Sequence, residues 1–127
     1  CRGRVLRRVS NRCKLTDESQ MAYLWLKKSD YSKTGATRED TEGLIDHIRA
    51  IEPVVVACLF EEVEPGETRI SLRSKHPDVN VNEIAKLFGG GGHKAASGAR
   101  IEGSQLSVQR KVISAIRKAL KTLSPEE

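Results

Sequence analysis

The pattern of apolar and polar positions predicts a hairpin in the middle of the chain. Residues 54–60 are wholly apolar and rich in valine, which is typical of a central strand buried on both faces. Residues 68–75 instead alternate, with Ile70 and Leu72 on one face and Arg, Ser and Lys on the other. Pro65 and Gly66 lie between the two segments in the positions that a type II turn favours.

Three segments carry the apolar spacing of an amphipathic helix. In the first, Leu44, Ile45, Ile48 and Ile51 follow a capping-box-like Thr37 and Asp40, and Pro53 ends the segment. In the second, Asn80 is placed to cap a short helix over residues 81–88, with Glu83 three positions on. In the third, Ser104 is the predicted cap of a long helix over residues 105–123.

The long C-terminal helix is predicted to separate apolar from basic side chains at about 100° per residue. Its predicted buried face consists of Ile113, Ile116, Leu120 and Leu123. The opposite face carries Arg110, Lys111, Arg117, Lys118 and Lys121. Such a basic face serves either solvation or recognition, and the pattern alone leaves both open.

The remaining strands are predicted at the two ends of this core. Residues 1–14 have the parity of a strand with a basic outer face, and residues 21–26 favour a second strand paired with it. A helix over residues 18–28 is compatible with propensity, residues 29–36 are predicted to be a loop, and residues 98–102 form a last strand. The sum is a single α/β domain with a mixed, mainly antiparallel sheet of about five strands and three helices.

The candidate chemistry centres on the four glycines Gly89, Gly90, Gly91 and Gly92, followed by His93 and Lys94. A glycine run can turn its amide N–H groups into a concave anion site, to which the next two side chains add donors or charge. The alternative is a flexible connector. No Gly-Lys-Ser/Thr ends the run, so it is not a Walker loop.

Charge favours a phosphate-bearing ligand for this loop. The net charge is +5, and residues 68–127 carry eleven basic and five acidic groups. Residues 15–67 carry five basic and twelve acidic groups, so the glycine run lies in a basic part of the chain. The cations of the 68–75 strand, Arg69, Arg73 and Lys75, either contact such a ligand or protect an edge strand from aggregation.

Other chemistries have weaker support. The histidines His47, His76 and His93 are too scattered in sequence for a metal site, and Ser97 near His93 is the one candidate nucleophile, although both are more typical of ligand binding. No 18-residue apolar run or signal peptide is present, so no membrane partner is expected. The odd set of three cysteines, without CxxC spacing, predicts reduced thiols and a cytoplasmic location.

Three motifs together resemble the C-terminal domain of DHH-family phosphoesterases. These are Ser-Leu-Arg-Ser at 71–74, Val-Asn-Val-Asn-Glu-Ile-Ala at 79–85, and Phe-Gly-Gly-Gly-Gly-His-Lys-Ala-Ala-Ser-Gly at 88–98. The resemblance is greatest to the oligoribonuclease and phosphoadenosine-phosphate phosphatase branch, which is related to RecJ exonucleases. It implies a two-domain enzyme that hydrolyses short oligoribonucleotides or nucleotide 3′-phosphates.

In such an enzyme the N-terminal DHH domain would bind two manganese ions, and the C-terminal domain would hold substrate phosphate. The resemblance places that role on Arg73 and on Gly89 to His93. It makes residues 1–14 the end of an interdomain linker and residues 15–127 the substrate-binding domain. No Asp-His-His motif occurs, and the chain begins without Met, so we expect a domain cut from a longer protein, with no cofactor of its own.

The expected partners are the N-terminal DHH domain and a short RNA or DNA oligonucleotide or a phosphorylated nucleotide. A free-standing nucleic-acid-binding module without hydrolytic activity is the alternative.

Overall fold

The computed structural model describes residues 14–16, 20–35 and 38–121. These residues form one α/β domain whose elements are β1 (Lys14–Thr16), β2 (Met21–Leu26), α1 (Lys28–Thr34), α2 (Arg38–Arg49), β3 (Val56–Glu64), β4 (Glu67–Ser74), α3 (Val81–Lys86), β5 (Gly91–His93), β6 (Ala96–Glu102) and α4 (Gln105–Lys121).

The strands of these ranges make one six-stranded sheet in the order β1-β2-β3-β4-β6-β5. Strands β2 and β3 are parallel, and every other neighbouring pair is antiparallel, which confirms the mixed, mainly antiparallel sheet. Pairing of Lys14–Thr16 with Met21–Leu26 confirms a strand rather than a helix at 21–26. Of the strand predicted over residues 1–14, Lys14 belongs to β1, and residues 1–13 lie outside the described residues.

The central hairpin forms as predicted. Strand β3 is buried over residues 56–61, and Gly66 has a φ of +83° in the turn before β4. Strand β4 lies between β3 and β6, so it is an internal strand and not an edge. Protection of an edge is therefore the wrong explanation for the cations of Arg69 and Lys75.

The loop predicted at residues 29–36 is wrong, because most of it forms helix α1. Asp30 accepts a hydrogen bond from the Lys27 N–H at 2.7 Å near the start of the helix. Gly35 ends it in the left-handed conformation at φ 70°, and its N–H donates to the Tyr31 carbonyl. The helix is short and carries one large apolar side chain, so it has no amphipathic period to detect. Its signals are the acid in the first turn and the terminal glycine.

Helix α4 is basic on its solvent side, as predicted, but its buried face is rotated. The buried side chains are Val108, Val112, Ile116 and Leu120. Ile113 is only half-buried, and Leu123 lies outside the described residues. The prediction followed the largest side chains, whereas the helix presents a row at i, i+4, i+8 and i+12, mostly β-branched, to the sheet.

Helices cover the two faces of the sheet to different extents. On one face, α3 and α4 close a core that contains Phe60, Ile70 and Leu72. On the other face, the buried cluster joins helix α2 to strands β2 and β3, through residues such as Leu44 and Leu59. Strands β4, β6 and β5 contribute no buried apolar side chain to this second cluster.

Candidate functional site

The strand register aligns two residues that the sequence singled out. Arg73 of β4 is paired with Ala96 of β6, and Ala96 is paired with His93 of β5. Directly paired residues in antiparallel strands point to the same face, so Arg73 and His93 share a face, two strands and about 10 Å apart. On this face, the buried apolar cluster under α2 does not extend to β4, β6 and β5.

Small residues fill the neighbouring row of the sheet. Ser71 is paired with Gly98, and Gly98 with Gly91. With Ala96, these positions form the floor of an open groove of about 380 Å³. We call it the β4–β5 groove; its charged lining residues are Glu42, Arg69, Arg73 and Arg100. The result is a shallow floor without bulky side chains, surrounded mainly by guanidinium groups.

The three arginines of the groove differ in what balances their charge. Arg69 Nε lies 3.2 Å from Glu61 Oε1, in a pair that is largely shielded from solvent. Arg100 Nη1 lies 3.3 Å from Glu67 Oε2 at the surface. Arg73 Nη1 donates to the carbonyl oxygen of Leu72 at 2.9 Å, and no carboxylate of the described residues pairs with it. Arg73 is therefore the groove arginine best placed to bind an anion.

A buried polar network fixes the wall beside Arg69. Glu61 is 2% exposed, and its second oxygen accepts a hydrogen bond from the Tyr31 hydroxyl. Burial, reinforced by the charge of Glu61, raises the pKa of Tyr31 well above its ordinary value. Tyr31 thus remains a neutral donor, and Arg69 is held by Glu61 rather than left for a ligand.

The glycines of the loop are required for different reasons. A Cβ at Gly90 would lie 2.1 Å from the Gly98 carbonyl oxygen, and one at Gly92 would lie 2.8 Å from the Ala96 carbonyl oxygen. Gly89 has open space but a φ of +84°. At Gly91 the nearest atom to such a Cβ is Asn82 Oδ1 at 3.4 Å, so this groove-lining glycine has room for a side chain that Gly90 and Gly92 lack.

The predicted cradle of loop amides does not form at three of the glycines, because their N–H groups donate within the protein. Gly89 donates to the Lys86 carbonyl at 3.2 Å and Gly90 to the Ala85 carbonyl at 2.9 Å. Gly92 donates to Asn82 Oδ1 at 2.9 Å. Anion binding at this loop therefore relies on the shape of the floor and on side chains.

Asn82 is a functional candidate that the sequence reasoning did not single out. It lies in helix α3, where the N-cap Asn80 accepts hydrogen bonds from the Asn82 and Glu83 amides, as the cap prediction required. Its own side chain crosses to the Gly92 amide and fixes β5 against the helix. The sequence signal that could have identified Asn82 is its position within the motif at residues 79–85.

The other residues near the loop divide between groove and core. His93 is exposed, and so is Lys94, which starts the two-residue turn between β5 and β6. Ser97 points the opposite way, is 7% exposed, and donates to the Val81 carbonyl at 2.7 Å. Ser97 is thus a structural residue of the core, and neither of the roles considered for it fits.

Further candidates also have structural roles. Lys75 Nζ donates to the Ile51 carbonyl at 2.9 Å, just beyond the end of α2, and His76 Nδ1 accepts from the Asp78 amide. Across the described ranges, no group of three His, Cys, Asp or Glu side chains is placed to hold a metal ion. No helix within those ranges is long and apolar enough to cross a membrane.

Comparison with known proteins assigns most of the chain to a protein family. Residues 18–123 match the DHHA1 domain. The chain belongs to the DHHA1 family. The matched range includes the glycine segment and strands β4, β5 and β6, which form the β4–β5 groove. This match agrees with the resemblance to DHH-family phosphoesterases.

The relatives are longer proteins. The DHHA1 domain described here is 35% identical over 83 residues to the probable bifunctional oligoribonuclease and PAP phosphatase NrnA of Streptococcus mutans, covering 65% of this chain and 26% of that protein. An exopolyphosphatase-related protein from Bacteroides fragilis has a TM-score of 0.81 at 28% identity, over 92% of this chain and 34% of that one.

A pGpG-specific phosphodiesterase from Vibrio cholerae shares the fold, with a TM-score of 0.62 at 16% identity over 94% of this chain and 37% of that one. The chain therefore spans about a quarter of the curated relative and about a third of the solved structures.

Proposed function

We propose that this DHHA1 domain is the substrate-binding part of a manganese-dependent phosphoesterase that hydrolyses short oligoribonucleotides or nucleotide 3′-phosphates. The observation that carries the proposal is the β4–β5 groove. Arg73 lies at its rim without a carboxylate partner among the described residues, on the same face as His93. The similarity to an oligoribonuclease and PAP phosphatase supports the proposed substrate class.

The groove suits a terminal phosphate better than a buried base. A guanidinium can give two parallel hydrogen bonds to phosphate oxygens, and such charge-assisted bonds are the strong ones. The glycine and alanine floor lets a phosphate approach the backbone closely, and His93 and Lys94 lie at the exposed edge of the floor. The charges of Arg69 and Arg100 are balanced by Glu61 and Glu67, so the proposed phosphate contact rests on Arg73.

In the intact enzyme, we propose that a preceding DHH domain faces this groove and supplies the metal ions and the attacking water. The DHHA1 domain would then hold and orient the substrate phosphate, so that the reacting groups meet in a defined geometry. Residues 1–14 would connect the two domains. The preceding domain and the short oligonucleotide or phosphorylated nucleotide are the partners that this arrangement needs, in a cytoplasmic protein.

Calorimetric titration with a 5′-phosphorylated diadenylate tests the proposal. Arg73→Ala is expected to weaken binding by about 1.5–3 kcal/mol, the range for a hydrogen bond to a charged group. Lys111→Ala is the matched control, because it removes one exposed cation from α4, away from the groove. Equal affinities of the wild type and Arg73→Ala would remove Arg73 from the site.

A further inference from the structure

A second groove runs between helix α4 and strand β2, on the α3/α4 face of the sheet. It consists of two adjoining cavities of about 460 and 450 Å³, which share Tyr23, Leu106 and Gln109 in their linings. We call it the α4–β2 groove. It lies on the opposite face from the β4–β5 groove and toward the opposite end of the sheet, so a dinucleotide in one groove does not occupy the other.

Its floor is aromatic. Tyr23 and Trp25 alternate along β2 on this face, with ring centroids 6.3 Å apart, and both are only partly buried. Tyr23 is braced from below by an edge-to-face contact with Phe60 at 5.9 Å. Leu106 completes the wall and is 60% exposed. Partly exposed rings held by the core offer flat surfaces on which a base can stack.

Its rim is cationic. One stripe of α4 supplies Arg110, Arg117, Lys118 and Lys121, and the β2 side supplies Lys14 and Lys27. Among the described residues, Glu62 is the one acid that lines either cavity, and it already accepts a hydrogen bond from the Lys28 amide at 2.8 Å. Solvation explains scattered lysines, but it does not explain cations that converge along one groove around two aromatic rings.

We propose that the α4–β2 groove binds single-stranded nucleic acid, with the cations on the phosphates and Tyr23 and Trp25 stacked on bases. Charge complementarity favours this occupant over the chain's own N-terminal segment. Residues 1–13, which exclude the rim residue Lys14, carry five cations and no acid, so like charges disfavour that segment as the occupant. The proposal stands apart from the proposed function, because it rests on other residues on another face.

Trp25 is the single tryptophan of the chain and gives a direct readout. The probe is a decauridylate with hydroxyl groups at both ends, titrated into the 127-residue chain while tryptophan fluorescence is recorded. Stacking is expected to quench the emission. Arg110→Ala/Lys118→Ala is expected to weaken binding at least tenfold and to lower the salt slope by about 1.4, since each single-strand phosphate contact contributes about 0.7.

Two controls separate this site from the β4–β5 groove. Arg73→Ala and Lys111→Ala are expected to leave the quenching curve unchanged, and calorimetry of Trp25→Leu is expected to show weaker binding of the same probe. Loss of binding in Arg73→Ala but not in the α4 double variant would overturn the proposal, as would the absence of quenching. A dimer in sedimentation velocity that Arg110→Glu/Lys118→Glu dissociates would show that a second copy occupies the groove instead.

Discussion

Whether an arginine can bind an anionic ligand depends on whether a carboxylate of the protein already balances its charge. Arg69, Arg73 and Arg100 all face the β4–β5 groove, yet two of them are paired with Glu61 and Glu67. Removing an exposed pair such as Arg100–Glu67 changes stability little, whereas the Glu61 carboxylate is buried and depends on both of its donors. Arg73 differs because the described residues hold no carboxylate for it.

Tyr31 predicts a pH dependence of stability. Its folded pKa is raised above the unfolded value of about 10, so its contribution is fully present below pH 10 and is lost as the pH rises further. Urea unfolding between pH 8 and 11 is expected to show a steeper fall in the free energy of unfolding for the wild type than for Tyr31→Phe. Parallel curves would show that folding does not raise the pKa of Tyr31.

The glycine segment acts as an element whose positions are not equivalent. Its amides are tied to α3, and its backbone packs against β6 so closely that Gly90 and Gly92 have no room for a Cβ. Of these three glycines, Gly91 alone has room for a Cβ, which would contact Asn82 Oδ1 at 3.4 Å, and it lines the β4–β5 groove. Within this one run of glycines, Gly90 and Gly92 are required for packing, whereas Gly91 contributes to the floor of the groove.

Gly90→Ala and Gly91→Ala separate the two roles. Gly90→Ala forces its Cβ into the Gly98 carbonyl, and we expect a loss of about 2–4 kcal/mol in the free energy of unfolding. Gly91→Ala is expected to stay within about 1 kcal/mol of the wild type, since its nearest neighbour is at 3.4 Å. It should nevertheless weaken binding of the phosphorylated diadenylate. Equal stabilities of the two variants in urea would contradict this packing.

At the scale of the whole molecule, the distribution of helices over the sheet determines where the two grooves lie. Each face is closed by helices at one end and open at the other, and the two open areas are the β4–β5 groove and the α4–β2 groove. Between them, β3 is buried on both faces and joins the two clusters. The two proposed binding sites therefore lie at the periphery of the sheet, away from its most buried strand.

Labelling of Cys58 in β3 tests whether the centre of the sheet unfolds cooperatively with the rest of the domain. It is fully buried, and burial raises the pKa of its thiol, so reaction with a thiol reagent requires opening of the sheet. In a Cys1→Ser/Cys13→Ser background, the labelling of Cys58 is expected to follow global unfolding as urea is raised. Labelling much faster than global unfolding would reveal a local opening of β3.

The sequence determined the central elements, because their signals are local. The apolar run of β3, the alternation of β4 and the Asn80 cap are set by neighbours within a few residues, and all three formed as predicted. The motifs also sufficed to predict the DHH-associated family, which the DHHA1 match confirmed. Helix α1 was missed because its seven residues lack an apolar period.

Tertiary structure alone decided which groups are available to a ligand. The loop amides are used by α3, Ser97 points to the core, and Arg69 belongs to Glu61, although no local pattern in the sequence marks these pairings. The alignment of Arg73 with His93 depends on two strand registers that side-chain patterns do not specify. Hydrogen-bond donors and charges are shared between separate segments, so their availability is a property of the folded chain.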